Sequence, residues 1–350
     1  MNIERKLATI RKVSEILPIE GADSIELAKI DGWQCVVKKD EFKVNDLAIY
    51  FEIDSLLPCN EPFLFMESRG RKTLEDGTEG YRLRTIKLKG ILSQGLLMPL
   101  SLFFVETNVV EGDDVTSILN IKKYEAPIPA QLRGVSRGNF PSFIRKTDEE
   151  RIQNFPEYFT IYENEEFEES EKIDGTSATY YWNSGEFGIC SRNINFKIDS
   201  NNDNTYFQIE QKYDIRKSLE SANLNIAIQG EIAGPGIQKN RLGLKEITFF
   251  IFNIYNINIQ SYLSTKERKA ILDVYFSHIP HVPIISISKI FQKYPTMDLL
   301  LNHANGQSLI NPDRKREGVV YKSINNIEVF NDERIISFKS ISNNYLLKEE

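Results

Sequence analysis

Six consecutive residues, Glu171-Lys172-Ile173-Asp174-Gly175-Thr176, hold the side chains best suited to covalent chemistry. A lysine amine attacks an electrophile only when unprotonated, and burial among other cations or beside a metal lowers its pKa and supplies that form. On a strand, side chains alternate between faces, so Lys172 and Asp174 are expected to point the same way. K-x-D-G alone recurs by chance, and taken by itself an exposed β-turn explains it better than a catalytic role. The other reactive residue types offer less. His278 and His281 flank Pro280 and read as surface-loop residues, and with His303 they form no zinc-site spacing. Cys35, Cys59 and Cys190 are too few and too scattered for a disulfide scaffold, which points to a reduced, cytoplasmic setting.

Two kinds of element surround that segment. The first 120 or so residues read as β: LATIRKVSEILPI, ELAKIDGWQCVV, DLAIYFEIDSLL and YRLRTIKLKGILSQGLLMPL alternate partially and are separated by turn signals such as Asp31-Gly32 and Asp76-Gly77. About five short strands predict a small closed barrel over 1–122. Residues 123–147, with three prolines in KYEAPIPAQLRGVSRGNFP, read as a linker or crossing segment. From 148 to 350 the pattern is mixed. GTSATYYW, GEFGICSRN, NIAIQGEIAG, EITFFIFNIYN, REGVVYKS and RIISFKSIS read as strands, and IEQKYDIRKSLES and STKERKAILDVYFSH as helices. The fold class is therefore α+β.

At 350 residues, 41% hydrophobic and 27% charged, the chain has material for two packed domains and is not disordered or low-complexity. The most apolar stretch, ITFFIFNIYNINI, is short and broken by asparagines, so no membrane span and no membrane partner are expected. The net charge of −7 hides a strong asymmetry. Residues 148–171 hold ten acids against Arg151, a net −9, which leaves +2 for the remainder. Arg69, Arg71, Lys72, Arg82, Arg84, Lys87 and Lys89 outnumber three acids, and 131–146 holds Arg133, Arg137, Arg145 and Lys146 with no acid. Phosphate binding follows the local field rather than the sum. The glutamates of 163–171 read most simply as a solvated approach to Lys172.

Beyond Lys172 the chain resembles the covalent nucleotidyltransferases, the superfamily of ATP-dependent DNA and RNA ligases and mRNA capping enzymes. EKIDGTSATY is similar to their nucleophile motif, Ser191-Arg192-Asn193 to the arginine motif, and Phe249-Phe250-Ile251-Phe252-Asn253 to the aromatic strand. Glu317-Gly318-Val319-Val320-Tyr321-Lys322 and Phe338-Lys339-Ser340 resemble the last two motifs. The run GEIAGPGIQKN (230–240) resembles the form peculiar to RNA ligases that seal nicks in duplex RNA, and the ordered set spans 171–345. RKLATIRKVSEILPIEGADSIELAKIDGWQCVVKKDEF, LAIYFEIDSLLP and FPSFIRKTDEERIQN resemble Deinococcus-type and Naegleria-type RNA ligases, which carry an N-terminal OB domain. Only eleven residues follow Lys339, so the C-terminal OB domain usual in DNA ligases and capping enzymes is not expected.

The resemblance implies an N-terminal OB-like barrel followed by a nucleotidyltransferase domain of ATP-grasp-like antiparallel sheets with flanking helices. It implies that Lys172 attacks the α-phosphorus of ATP and forms lysyl-AMP. Lys322 and Lys339 would offset phosphate charge and lower the Lys172 pKa. Glu171, Ile173, Asp174, Gly175, Arg192 and Glu231 would bind the nucleotide, with Glu231 accepting from a ribose hydroxyl. Phe252 and Val320 would sandwich the adenine, and Arg151 would meet the β- and γ-phosphates. Asp174, Glu231 and Glu317 would hold Mg2+ or Mn2+ through water, as hard cations choose oxygen. Trp33 and the 69–89 cluster would face nucleic acid.

Two departures from the family pattern stand out. The K-x-K motif has one lysine here, with Ile341 or Ser337 in the other slot according to register, unless Lys348 reaches in. Ser177 stands where phage-type duplex-RNA ligases carry Asn. The expected partner is RNA with 5′-phosphate and 3′-OH ends, a nicked duplex, joined by a monomer. A DNA ligase, a capping guanylyltransferase, or a decayed nucleic-acid-binding scaffold are the alternatives.

Overall fold

The computed structural model describes residues 5–104, 108–127, 134–198, 204–329 and 332–347; Arg133 and Lys348 lie outside them. The chain divides into two compact units, Met1–Pro127 with Leu346–Glu350, and Ile128–Tyr345. Among the described residues, no helix is long and apolar enough to cross a membrane.

Among the described residues of the first unit, the expected β runs are cut by turns into twelve short strands in four antiparallel sheets. One sheet orders Ala8–Lys12, Leu47–Phe51 and Leu96–Pro99, with Leu47–Phe51 central. A second orders Glu15–Pro18, Ile25–Ile30 and Trp33–Lys38. Trp33 corrects the sequence expectation. Along its strand Trp33, Cys35 and Val37 share the inward face, so the indole is fully buried, 5.4 Å from the Tyr50 ring, and cannot stack on a base.

The second unit holds a seven-stranded antiparallel sheet whose centre is Thr176–Asn183 flanked by Glu186–Cys190 and Ile226–Ala233, with Thr248–Asn256 beyond. A four-stranded sheet orders Ile284–Ser288, Phe167–Lys172, Gly318–Ser323 and Ser337–Ile341. The stretch read as one helix over 209–221 is two, Thr205–Lys212 and Ile215–Ala222, because Asp214 takes a left-handed conformation at φ 46°. Thr265–Tyr275 begins as its sequence suggests, with Ser264 and Glu267 forming a reciprocal capping box.

The glutamate run is the main correction. From Glu168 onward it is not solvated: Phe167–Lys172 has neighbours on both edges, and Glu168, Glu169 and Glu171 are all buried. Arg268, itself buried, donates to Glu168 at 2.6 Å. Burial alone would raise the Glu169 carboxyl. Hydrogen bonds from His303 at 2.7 Å, Ser286 at 2.5 Å and Ser288 at 2.9 Å outweigh it and hold the group at about 2. Charge patterning alone cannot separate a solvated acidic face from a strand whose acids are each matched elsewhere in the chain.

Candidate active site

The strand Phe167–Lys172 ends at Lys172, and the chain then crosses from the four-stranded to the seven-stranded sheet through Ile173-Asp174-Gly175. Gly175 makes the crossing possible, since a Cβ there would lie 2.2 Å from the Ile232 carbonyl oxygen. Lys172 and Asp174 are therefore neighbours across a bend, not on one strand face as expected. A cavity of about 270 Å3 opens at this junction. Its wall takes Glu171, Lys172, Ile173 and Gly175 from the crossing, and Glu231 and Phe252 from the larger sheet. Val320, Lys322 and Lys339 come from the smaller sheet, and Arg192 from the turn after Glu186–Cys190. Of the remaining residues implied by the motifs, Glu317 meets Lys172 directly, and Asp174 acts on its charge. Arg151 is buried and bridges Lys339 backbone to backbone.

The Lys172 Nζ donates to Glu317 Oε2 at 2.7 Å. Burial favours the neutral amine, but Glu317, then Glu231 and Asp174, outweigh it, so the pKa is raised. The expected depression by neighbouring cations is not found, because three carboxylates face the amine. Lys339 shows the converse: burial, then the Lys172 charge, push it down to about 8. Lys322 also falls to about 8, through burial and then Arg268 rather than Lys172. Its Nζ donates to the Phe252 carbonyl at 2.8 Å and to Asn253 Oδ1 at 2.7 Å, and lies 5.3 Å from the Phe252 ring centre. Burial pushes the Glu231 carboxyl up to about 8; Lys172 opposes that rise, while Glu317 and Asp174 add to it.

Glu171 is 1% exposed. Its Oε2 accepts from the Leu309 N–H at 2.7 Å, while its Oε1 has no hydrogen-bond partner in a residue that lines the cavity. An orphaned buried carboxylate oxygen is costly unless a ligand donates to it. Among the described residues, no three His, Cys, Asp or Glu side chains converge as a ready-made chelating group. Both candidate slots for the second K-x-K lysine lie on Ser337–Ile341: Ser337 pairs across strands with Lys322, and the buried Ile341 with Gly318.

Several site residues escaped the sequence reading. Asp148 accepts from Arg192 at 3.2 Å and lines the cavity, as do Thr147 and Glu149; within the acidic run nothing distinguished them. Tyr345 donates its hydroxyl to Asp174 Oδ2 at 2.7 Å, with the Arg241 guanidinium 4.4 Å above its ring. Its place downstream of Lys339 was visible, but not its partner. Gln238 of the GEIAGPGIQKN run donates to the Gly175 carbonyl at 3.2 Å. His281 is half-buried rather than on a surface loop, and burial pushes it down to about 4.

A buried lysine between two antiparallel sheets, faced by carboxylates and by two further lysines in one cavity, is the arrangement expected of a nucleotidyltransferase-type site. A family model described as RNA ligase matches residues 165–341, and one described as an OB-fold domain matches residues 7–100. Naegleria gruberi RNA ligase with PPi is 40% identical, covering 99% of each chain with a TM-score of 0.80. A mutant of the same enzyme with ATP and Mn is 40% identical over 98% of this chain and 99% of that one, at 0.80. A mutant with AMP and Mn is 40% identical over 99% of each, at 0.81. Comparison with curated proteins gives no match. The chain belongs to the RNA ligase family and carries an N-terminal OB-fold domain. It is a ligase, and the DNA ligase, capping and decayed-scaffold alternatives are not favoured.

Proposed function

We propose that this enzyme uses ATP to join a 3′-OH to a 5′-phosphate in RNA, preferentially at nicks in duplex, through lysyl-AMP and adenylylated RNA. Lys172 Nζ attacks the α-phosphorus, the P–N bond forms, and pyrophosphate leaves with the P–O bond electrons. The ammonium proton that Lys172 must lose lies on its hydrogen bond to Glu317 Oε2. AMP then passes to the RNA 5′-phosphate, and the 3′-OH displaces it. The observation that carries this reading is the placement of the Lys172 amine in the wall of a cavity shared with Glu231, Phe252, Val320, Lys322 and Lys339.

Phe252 and Val320, half-buried in that wall, give the adenine two apolar faces, and the orphaned Glu171 oxygen suits its amino group. Glu231 accepts from the ribose, Lys322 and Lys339 face the α-phosphate, and Arg192 and Arg151 meet the outer phosphates or ribose. Asp174, Glu231 and Glu317 suit Mg2+ or Mn2+, since Glu317 and Asp174 add to the rise that burial gives Glu231, and a cation would relieve that repulsion. They would hold it largely through water, and the ion would supply charge neutralisation when bound. We assign RNA binding to residues 1–122, a crossing segment to 123–147 and adenylyl transfer to 148–350. The protein acts as a monomer, and the free Cys35, Cys59 and Cys190 suit a reducing, cytoplasmic setting.

The test is sealing of matched nicked duplexes of RNA and of DNA, with ATP or GTP and Mg2+ or Mn2+. Sealing of the RNA nick with ATP is expected. Sealing of DNA alone, or a requirement for GTP, contradicts the proposal.

A further inference from the structure

Seven basic residues crowd the sequence between 69 and 89, and the fold sorts the five from Arg69 to Arg84 into two kinds. Arg71 is spent on Glu67 at 3.1 Å and Glu79 at 3.7 Å. Arg82 is pinned by Asp54 at 2.6 Å and by the Tyr124 ring, 4.5 Å from its guanidinium carbon. The side chains of Arg69, Lys72 and Arg84 have no ion-pair or hydrogen-bond partner among the described residues, and all three residues line one open cavity of about 200 Å3, with Gly70, Arg82 and Ile86. Gly70 ends the short helix Phe63–Arg69 at φ 77°, a left-handed turn that brings Arg69 and Lys72 to the same cavity. Three unneutralised cations around a space larger than one water repel one another unless an anion joins them. The helix that supplies Arg69 also leaves Phe65 56% exposed, an aromatic face on which a base can stack.

We infer that this cavity is a phosphate-binding subsite for the backbone of the RNA substrate, held by Arg69, Lys72 and Arg84, with Arg82 as its fixed wall. It rests on the reading of the chain as an RNA-joining enzyme and narrows RNA contact in the first unit to three side chains. Arg71, Arg82 and the buried Trp33 are excluded as direct contacts.

The test is binding of a fluorescein-labelled nicked RNA duplex to the full-length protein, without ATP and with EDTA, across a salt series. Arg69→Ala, Lys72→Ala and Arg84→Ala should each lower the salt slope by about 1. That corresponds to roughly tenfold weaker binding at 0.1 M than extrapolation from 1 M gives for wild type. Lys72→Arg should bind as wild type. Lys39→Ala removes an exposed charge that has no ion-pair partner among the described residues, from the same unit outside the cavity, and should leave the slope unchanged. All variants should form lysyl-AMP at the wild-type rate, which verifies folding and separates this proposal from the adenylylation chemistry. Equal losses in Lys39→Ala and the three cavity variants would mean net charge alone binds RNA, and no loss in the three would mean the cavity is not used; either overturns the inference. Inorganic phosphate at matched ionic strength should leave the RNA bound, and its displacement of RNA would reassign the cavity to free phosphate.

Discussion

Lys172 is held between opposing influences: burial pushes its proton off, while the Glu317, Glu231 and Asp174 carboxylates keep it on and prevail. Replacing Glu317 by Gln should lower the Lys172 pKa, read by NMR titration of the 13C-methylated amine in the metal-free protein. An unchanged or higher value would mean that Glu317 does not set the charge on the nucleophile. Glu231 gives a second pH signature. Its carboxyl keeps a proton up to about 8 in the folded state and loses it near 4.5 when unfolded, so its contribution to stability is lost as pH rises through that window. Urea denaturation should show wild type declining relative to Glu231→Gln between about pH 4.5 and 8, and parallel curves would contradict the assignment. Tyr345→Phe removes the hydroxyl that Asp174 accepts. If Tyr345 positions Asp174, the variant should need more Mn2+ for half-maximal lysyl-AMP formation while its folded stability changes little. The motif lysines, Glu231 and Glu317 were legible because each stands in an ordered motif. Tyr345 and Asp148 were not, since a hydrogen bond across 171 residues leaves no local pattern.

The strand carrying the nucleophile shows how far element-level reading goes. Neither the strand over Phe167–Lys172 nor the burial of Glu168, Glu169 and Glu171 was read from the sequence, because their partners Arg268, His303 and the Leu309 N–H lie 100 or more residues away. Trp33 misled for the opposite reason: its face is set by the parity of one strand, which Cys35 and Val37 already encoded. The Glu168–Arg268 pair, with side chains 4% and 5% exposed, yields a stability prediction. Arg268→Met alone should cost about 3–5 kcal/mol, since it strands a buried carboxylate, whereas Glu168→Leu with Arg268→Met should recover most of the loss. Equal losses in the single and double variants, by urea denaturation, would show that packing rather than charge holds the pair.

At the scale of the whole molecule, each unit has its own cores: Leu7, Phe51, Tyr81 and Trp33 belong to clusters of the first, Tyr180, Ile228, Phe167 and Phe338 to clusters of the second. Every residue lining the nucleotide-sized cavity belongs to the second unit. A fragment from residue 128 onward should therefore still form lysyl-AMP and lose RNA sealing, and failure of a folded fragment to adenylylate would tie the chemistry to the first unit. The division into a β-rich half and a mixed half was legible in turn signals and alternation, whereas the splitting of the first half into four small sheets depends on long-range pairing that no local window contains. The most direct test of the whole account is transfer of label from α-labelled ATP to the protein with Mg2+ or Mn2+, read on a denaturing gel after intact mass has shown that the starting protein is unmodified. Covalent label from ATP but not GTP, absent in Lys172→Ala, is the predicted result. Label that persists in Lys172→Ala, or an unmodified, folded wild type that takes none, would contradict it.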